Sequence, residues 1–259
     1  MISIVTAYYN RKALFRRTLE SVAKSQHKDF EVVAVDDASK QEERIEDLEK
    51  EFSFLRVIRI DPKDKWYYNS CIPYNIGIKK AKGDIIILQN PECLHAHDVM
   101  SYVKENLTDK NYLVMSCYSV DEDSTRDFIP YVDHAKLLRM LPMQIVFNYT
   151  GWYCHSKYNP HAFHFCSAIT TRNMEKLGGF DERYSEGIGY EDNEFLDRVI
   201  RLGLKIKIVD DVSVIHQWHP KVYDLSLSEH HNQLYCDNAL LHRRTKKERI
   251  IKVTNNHDQ

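Results

Sequence analysis

An α/β fold, doubly wound with a mostly parallel central sheet and a helical C-terminal tail, is the architecture this sequence predicts. Three observations predict it. Short β-branched apolar runs alternate with segments of helical apolar spacing through the first half of the chain. The joins are short, as expected where parallel strands are linked by crossover helices. The 259 residues also suffice to bury a large core.

The elements follow in order. Residues 2–6 are apolar and β-branched and predict the first strand, and 13–23 carry Leu14, Leu19 and Val22 at helical spacing. Residues 31–35 predict the second strand, 42–52 a polar helix, 55–60 the third strand, 71–81 a helix and 84–88 the fourth strand. A helix over 97–106 and a strand over 112–118 come next. Residues 120–163 mix charge, Pro130, Pro142, Pro160 and many aromatics without a period, as functional loops do. Regularity returns at 163–170, then in a helix starting at Glu191, then in a strand over 205–209. Residues 223–253 read as a charged helix before a polar terminus. The expected division is a main domain over 1–222, with halves 1–95 and 96–222, and a helical tail over 223–259.

Composition narrows the function. The 36 basic and 38 acidic residues leave a net charge of −2, which gives no electrostatic footprint for nucleic acid. The first strand begins at residue 2, and the longest apolar run near it, Ile85 to Leu88, is far too short to span a bilayer. A cytoplasmic protein without a transmembrane segment is therefore expected. The six cysteines lack the close spacing of a zinc or redox motif, so reduced thiols are expected. A zinc site from Cys154, His155, His161, His164 and Cys166 fits no standard spacing. The basic residues Arg243, Arg244, Lys246 and Lys247 in the tail read as a solvated face.

The chemistry concentrates at four ordered segments. Ligands of doubly wound sheets bind beyond the strand C-terminal ends, where Thr6 to Arg11, Asp36 to Ser39 and Gln89 to Cys93 all fall. The fourth segment is Gly178-Gly179-Phe180-Asp181-Glu182 followed by Gly189-Tyr190-Glu191-Asp192. Phe195, Leu196, Val199, Ile200 and Leu202 then recur at helical spacing, so the acidic pair sits near a helix N-terminus, where the dipole favours it.

In this order the segments resemble GT-A glycosyltransferases of family 2, with an acceptor-side motif like that of the related galactosyltransferase group. The resemblance runs from about residue 2 to about residue 219. It implies a GT-A, Rossmann-like sandwich and transfer of a sugar from a nucleotide-diphospho-sugar, most often UDP-linked, to the hydroxyl of a glycan or other acceptor. Inversion at the anomeric carbon is implied by the resemblance alone. Asp192 would be the general base, with Glu191 positioning the acceptor; the reverse order is the alternative. Thr6, Ala7, Tyr8, Arg11, Asp36, Asp37, Asn75, Gly77, Gln89 and Asn90 would surround the nucleotide-sugar. Tyr8 would offer an aromatic face to the base, and Asp36 or Asp37 would accept from the nucleoside.

Members of the family hold Mn2+ or Mg2+ through an Asp-x-Asp motif. Here that stretch reads Gln89-Asn90-Pro91-Glu92, so Glu92 is the one carboxylate on offer. His216, in the run Ile215-His216-Gln217-Trp218-His219, would complete the shell with diphosphate, and His219 is the second choice. Trp152, Tyr153, Gly189 and Tyr190 are the expected acceptor contacts, because sugar C–H faces stack on aromatic rings. Two alternatives stand beside the transferase: a degenerate homologue that binds a nucleotide-sugar or glycan without turnover, and a sugar-phosphate nucleotidyltransferase. The second ordinarily carries a glycine-rich loop that residues 6–11 lack.

Overall fold

The computed structural model describes residues 1–147, 149–220 and 228–255. Their strands and helices run β1 (Ile2–Tyr8), α1 (Lys12–Ala23), β2 (Phe30–Asp36), β3 (Leu55–Arg59), α2 (Cys71–Lys80), β4 (Ile85–Gln89), β5 (Cys93–His95) and α3 (Val99–Asn106). They continue as β6 (Asn111–Ser119), α4 (His134–Met140), β7 (Gly151–Cys154), β8 (Cys166–Thr170), α5 (Thr171–Leu177), α6 (Glu191–Arg201), β9 (Lys205–His216) and α7 (Glu229–Glu248).

A single sheet of nine described strands has the order β3-β2-β1-β4-β8-β6-β9-β5, with β7 beside β6. The registers set β1, β2, β3, β4, β6 and β9 running one way, and β5, β7 and β8 the other. The expected mostly parallel α/β sheet is thus what forms. The central strands are apolar on both faces, as strands covered from both sides must be; Val32, Val33, Ala34 and Val35 are all buried in β2. α2 lies close on β1 because Gly77 has no side chain: an added Cβ would sit 2.5 Å from Val5 Cγ1.

The polar helix expected over 42–52 does not form. Its side chains are drawn to separate partners, and the chain folds instead into two short 3-10 turns, Gln41–Glu43 and Glu46–Lys50. Glu43 accepts from the Lys12 backbone N–H, Glu49 from the Val57 N–H, and Glu46 pairs with Arg59. In the aperiodic region, α4 and β7 enclose a small second core in which Trp152, Tyr118, Leu94 and Ile215 are buried. Within the tail expected over 223–259, residues 223–227 and 256–259 lie outside the described residues; α7 begins at Glu229, capped by Ser228. α7 packs on the acidic loop, where Asn238 Nδ2 donates to the Tyr184 and Gly189 carbonyls. No described helix is long and apolar enough to cross a membrane.

Candidate active site

Strand direction gathers the site. β1, β2, β4, β6 and β9 all end at one edge of the sheet, and β5 starts there. The antiparallel register of β5 on β9 sets Cys93 opposite His216, which brings the preceding Glu92 to the same place. Gln217 locks the junction: its backbone N–H and its side-chain amide Nε2 both donate to the Glu92 carbonyl, at 3.2 and 3.0 Å.

Glu92, His216 and His219 there form a group whose potential ligand atoms all lie within 4.8 Å of one another. Glu92 Oε1 is 3.2 Å from His216 Nε2 and 3.5 Å from His219 Nε2. Arg11 Nη1 donates to Glu92 Oε2 at 2.7 Å and is 3.0 Å from His219 Nε2. Glu92 is buried, which by itself raises a carboxyl pKa. The Arg11 guanidinium and the bonds from His216 and His219 outweigh that burial and hold it well below the usual range, so Glu92 is ionised. His216 is buried, and its Nδ1 has no hydrogen-bond partner among the described residues. One carboxylate and two imidazoles suit a divalent ion of the Mn2+ kind, with further positions left for oxygen ligands.

A cavity of about 220 Å3 opens beside this group, lined by Ser119, Tyr149, Tyr153, Phe165, His216, Trp218 and His219. Tyr153 stacks on Phe165 at 5.0 Å between ring centres, and both rings stand edge-on to His216. A second opening of about 390 Å3 adjoins it, reaching along Asn10, Arg11, Arg17, Arg126, Trp218 and His219. A cavity of about 410 Å3 near His95, His97 and His134 is separate from this constellation, and its His97 and Asp98 are engaged by backbone N–H groups.

The acidic pair opens α6. Gly189 and Tyr190 before it both take positive φ, 69° and 67°. A tyrosine in that region is strained, and the ring is held there by Tyr235 and His242. Glu191 Oε2 accepts from Asn69 Nδ2 at 2.6 Å. Burial, then the adjacent Asp192 charge, push the Glu191 carboxyl above its ordinary value. Asp192 Oδ1 is in contact with His164 Nδ1, and the Asp192 side chain keeps 26% of its surface exposed. Beneath the helix, Arg198 donates to both oxygens of Glu194, at 2.6 and 2.7 Å, with both side chains buried.

His164 and Phe165, adjacent in sequence, connect the two halves: the first touches Asp192 and the second His216. Tyr74 lies between them, edge-on to His164 at 5.0 Å, and its ionisation is opposed by burial and then by the charges of Glu92 and Asp192.

The structure places several expected site residues differently. Tyr8 cannot offer its face to a base: its ring is buried against Phe15, and its hydroxyl donates to the Glu43 carbonyl. Asp36 is fully buried, accepting from the Ser39 N–H and paired with Arg59. Asp37 is engaged as well, by Tyr67 at 2.6 Å and Lys65 at 2.7 Å. Gly77 serves helix packing, and Asn75 braces the glycine turn by bonding the Phe180 N–H and carbonyl. Gln89 is buried between the Cys93 carbonyl and His95. Trp152 sits in the second core, so only Tyr153 of that pair faces the cavity. Thr6 is buried and Ala7 half-buried at the end of β1, while Asn90 accepts from the Tyr74 hydroxyl.

Three contributors lacked a sequence signal of their own: Asn69 on the acidic pair, Phe165 on His216, and Lys65, which lies 4.1 Å over the Tyr9 ring and binds Asp37. His164, named in sequence only within a zinc set of non-standard spacing, contacts Asp192 instead. His219 did carry one, its place in the His-Gln-Trp-His run.

Comparison with known proteins identifies the fold and the family. A family model described as the N-terminal domain of galactosyltransferase matches residues 145–220. The chain is 25% identical over 244 residues to a chondroitin synthase of Escherichia coli, covering 85% of this chain and 35% of that protein. It is 26% identical over 245 residues to a hyaluronan synthase of Pasteurella multocida, covering 85% and 25%. The chain therefore spans about a third or less of the length of these two relatives. Among solved structures, GalNAc-T7 with UDP, GalNAc and Mn2+ superposes with a TM-score of 0.64 at 17% identity, over 95% of this chain and 50% of that one. S. aureus TarS with UDP-GlcNAc gives 0.58 at 16%, over 92% and 65%. The fold is that of the GT-A glycosyltransferases. The model described as glycosyl transferase family 2 matches residues 3–178, more than half of the chain, and the protein belongs to that family.

Proposed function

We propose that the chain transfers a sugar from a nucleotide-diphospho-sugar, UDP-linked, to an acceptor hydroxyl with inversion, and that Asp192 is the general base. The observation that carries this reading is that two unlike chemistries are connected through two adjacent residues, His164 and Phe165. A candidate cation-binding trio, Glu92, His216 and His219, lies at the strand ends, and a partly exposed carboxylate, Asp192, is joined to it through His164-Phe165. The family membership and the UDP-sugar bound to TarS support the donor class.

A divalent ion on the trio would neutralise charge as the diphosphate departs. The other work falls to side chains. Arg11 is placed to take a phosphate oxygen when it leaves Glu92. Asp192, a partly exposed carboxylate, takes the acceptor proton, while Glu191, fixed by Asn69, accepts from a second acceptor hydroxyl. Tyr153 provides an aromatic wall near the cation site, and the Asp37–Lys65–Tyr9 group borders the nucleoside.

Nucleotide release from UDP-, GDP- and dTDP-sugars, with Mn2+ and with chelator, tests the proposal. Release from one donor, abolished by chelator, is the expected result. Release that ignores chelator removes the metal assignment and keeps the transferase. No release in the presence of a panel of glycan acceptors favours the second reading, a binder without turnover; the absence of Asp-x-Asp and the seating of Arg11 on Glu92 favour it as well.

A further inference from the structure

We infer that His164 is the positioning residue of the base: its Nδ1–H holds Asp192 by Oδ1, and this leaves Oδ2 to receive the acceptor proton. The inference rests on the reading of Asp192 as the base. Three observations carry it. His164 Nδ1 and Asp192 Oδ1 are in direct contact, across 28 residues of sequence. The imidazole is only 7% exposed and is held between two rings, Tyr74 at 5.0 Å and 89° and Phe180 at 5.0 Å and 60°. Phe180 is itself pinned, its N–H donating to Asn75 Oδ1 and its carbonyl accepting from Asn75 and Asn255. A ring so confined is held against Asp192, and a partly exposed carboxylate gains one fixed orientation.

The step balances without further reactants. The acceptor O–H proton passes to Asp192 Oδ2, the acceptor oxygen bonds to the anomeric carbon, and the bond from that carbon to the diphosphate breaks with its electron pair leaving on the nucleotide. Neutral His164 donates throughout and is neither oxidised nor consumed. Its protonated form would instead tie Asp192 into an ion pair and lower its basicity. The titratable groups that face the imidazole are Asp192 and Glu191 from α6 and Tyr74 from α2. Burial lowers the His164 pKa, but the two carboxylates prevail and raise it above its ordinary value. Turnover is therefore expected to climb with pH through a titration lying above the usual imidazole range.

Two variants and one spectroscopic measurement test this. His164→Asn retains a donor that cannot gain charge, whereas His164→Phe keeps a packed ring without a donor. His164→Phe is expected to lower kcat roughly ten- to hundredfold, less than loss of the base itself, with donor KM nearly unchanged. His164→Asn is expected to retain more of the turnover and to lose the climb with pH. Nitrogen-15 spectra of the imidazoles, with His164 assigned by its loss in His164→Asn, should show the neutral ring protonated on Nδ1. A neutral ring protonated on Nε2, or both variants keeping the wild-type kcat and pH profile, overturns the inference. If those results accompany an inactive Asp192→Asn, the base reading survives and only the role of His164 falls; an Asp192→Asn variant as active as wild type removes both.

Discussion

Arg11 Nη1 and Glu92 Oε2, 81 residues apart in sequence, meet at 2.7 Å, and the guanidinium that binds this carboxylate also approaches His219. Arg11 thus lies against two of the three groups that could hold a metal ion. A cation entering the trio must displace or repel it, and at this range two positive charges interact by several kcal/mol even at the effective dielectric of a protein surface. Replacing Arg11 by Met is expected to tighten Mn2+ binding in the absence of nucleotide by about tenfold or more, equivalent to about 1.4 kcal/mol. The same variant should bind the nucleotide-sugar more weakly, because it has lost a phosphate donor. Titration calorimetry with Mn2+ alone and then with nucleotide separates the two effects. Weaker Mn2+ binding would mean that Arg11 shapes the trio instead of competing for it.

Asp192→Asn keeps the size of the side chain and an oxygen for His164 to contact, and removes the basicity. General base catalysis contributes about 10²–10⁴-fold, so kcat should fall by that factor. Donor binding, followed by calorimetry, should stay near wild type, since the Glu92, His216 and His219 trio and the Asp37–Lys65 pair are untouched. A parallel loss of donor affinity would indicate that Asp192 works in ground-state binding.

Glu191 gives a stability prediction of unusual sign. Burial, then its neighbour Asp192, raise its carboxyl pKa, so the folded state disfavours the ionised form. The sign follows directly: a group with a raised folded pKa contributes stability below its unfolded value, and that contribution is lost as pH rises through the folded value. Glu191→Gln cannot ionise and still accepts from Asn69 through its amide oxygen. It should therefore raise Tm at neutral pH and leave Tm unchanged in acid, while lowering activity, the trade expected where a site is kept charged for function. An equal Tm shift at both pH values would count against a charge origin.

How far the sequence announced this site differs by the kind of information involved. Strands such as 2–6 and 31–35 were legible because β-branched runs announce themselves locally, and the acidic pair because it precedes an amphipathic helix. The segment 42–52 was misread because its apolar content is thin and the partners of Glu43, Glu46 and Glu49 lie on other elements. β5, with three residues, and β7, with four, are too short to show a period. The roles given to Tyr8, Gly77 and Gln89 failed for a different reason: side-chain direction is decided by packing, and these three point into the fold. The contact of His164 with Asp192 depends on the strand order that brings β8 beside β4, which no local pattern encodes.

The last prediction concerns what holds the acidic pair in place. Glu194 and Arg198, one turn apart in α6, form a fully buried ion pair, and Arg198 also donates to the Leu177 carbonyl at 2.7 Å at the end of α5. The pair thereby fastens α6 to the glycine turn that follows α5. Removing one partner leaves an uncompensated buried charge, which costs about 3–5 kcal/mol, whereas replacing both by apolar residues of similar volume is often close to neutral. Glu194→Leu alone should accordingly lower stability by about 3–5 kcal/mol, and the double variant Glu194→Leu with Arg198→Met should recover much of that loss in chemical denaturation. Recovery of stability need not restore activity, because the Leu177 carbonyl loses the Arg198 donor, keeping only the Val253 N–H, and α6 loses that tie to α5. A double variant that is stable but has a reduced kcat would identify the pair as the device that aims Glu191 and Asp192. One that regains both would reduce it to a stabilising contact within the helix.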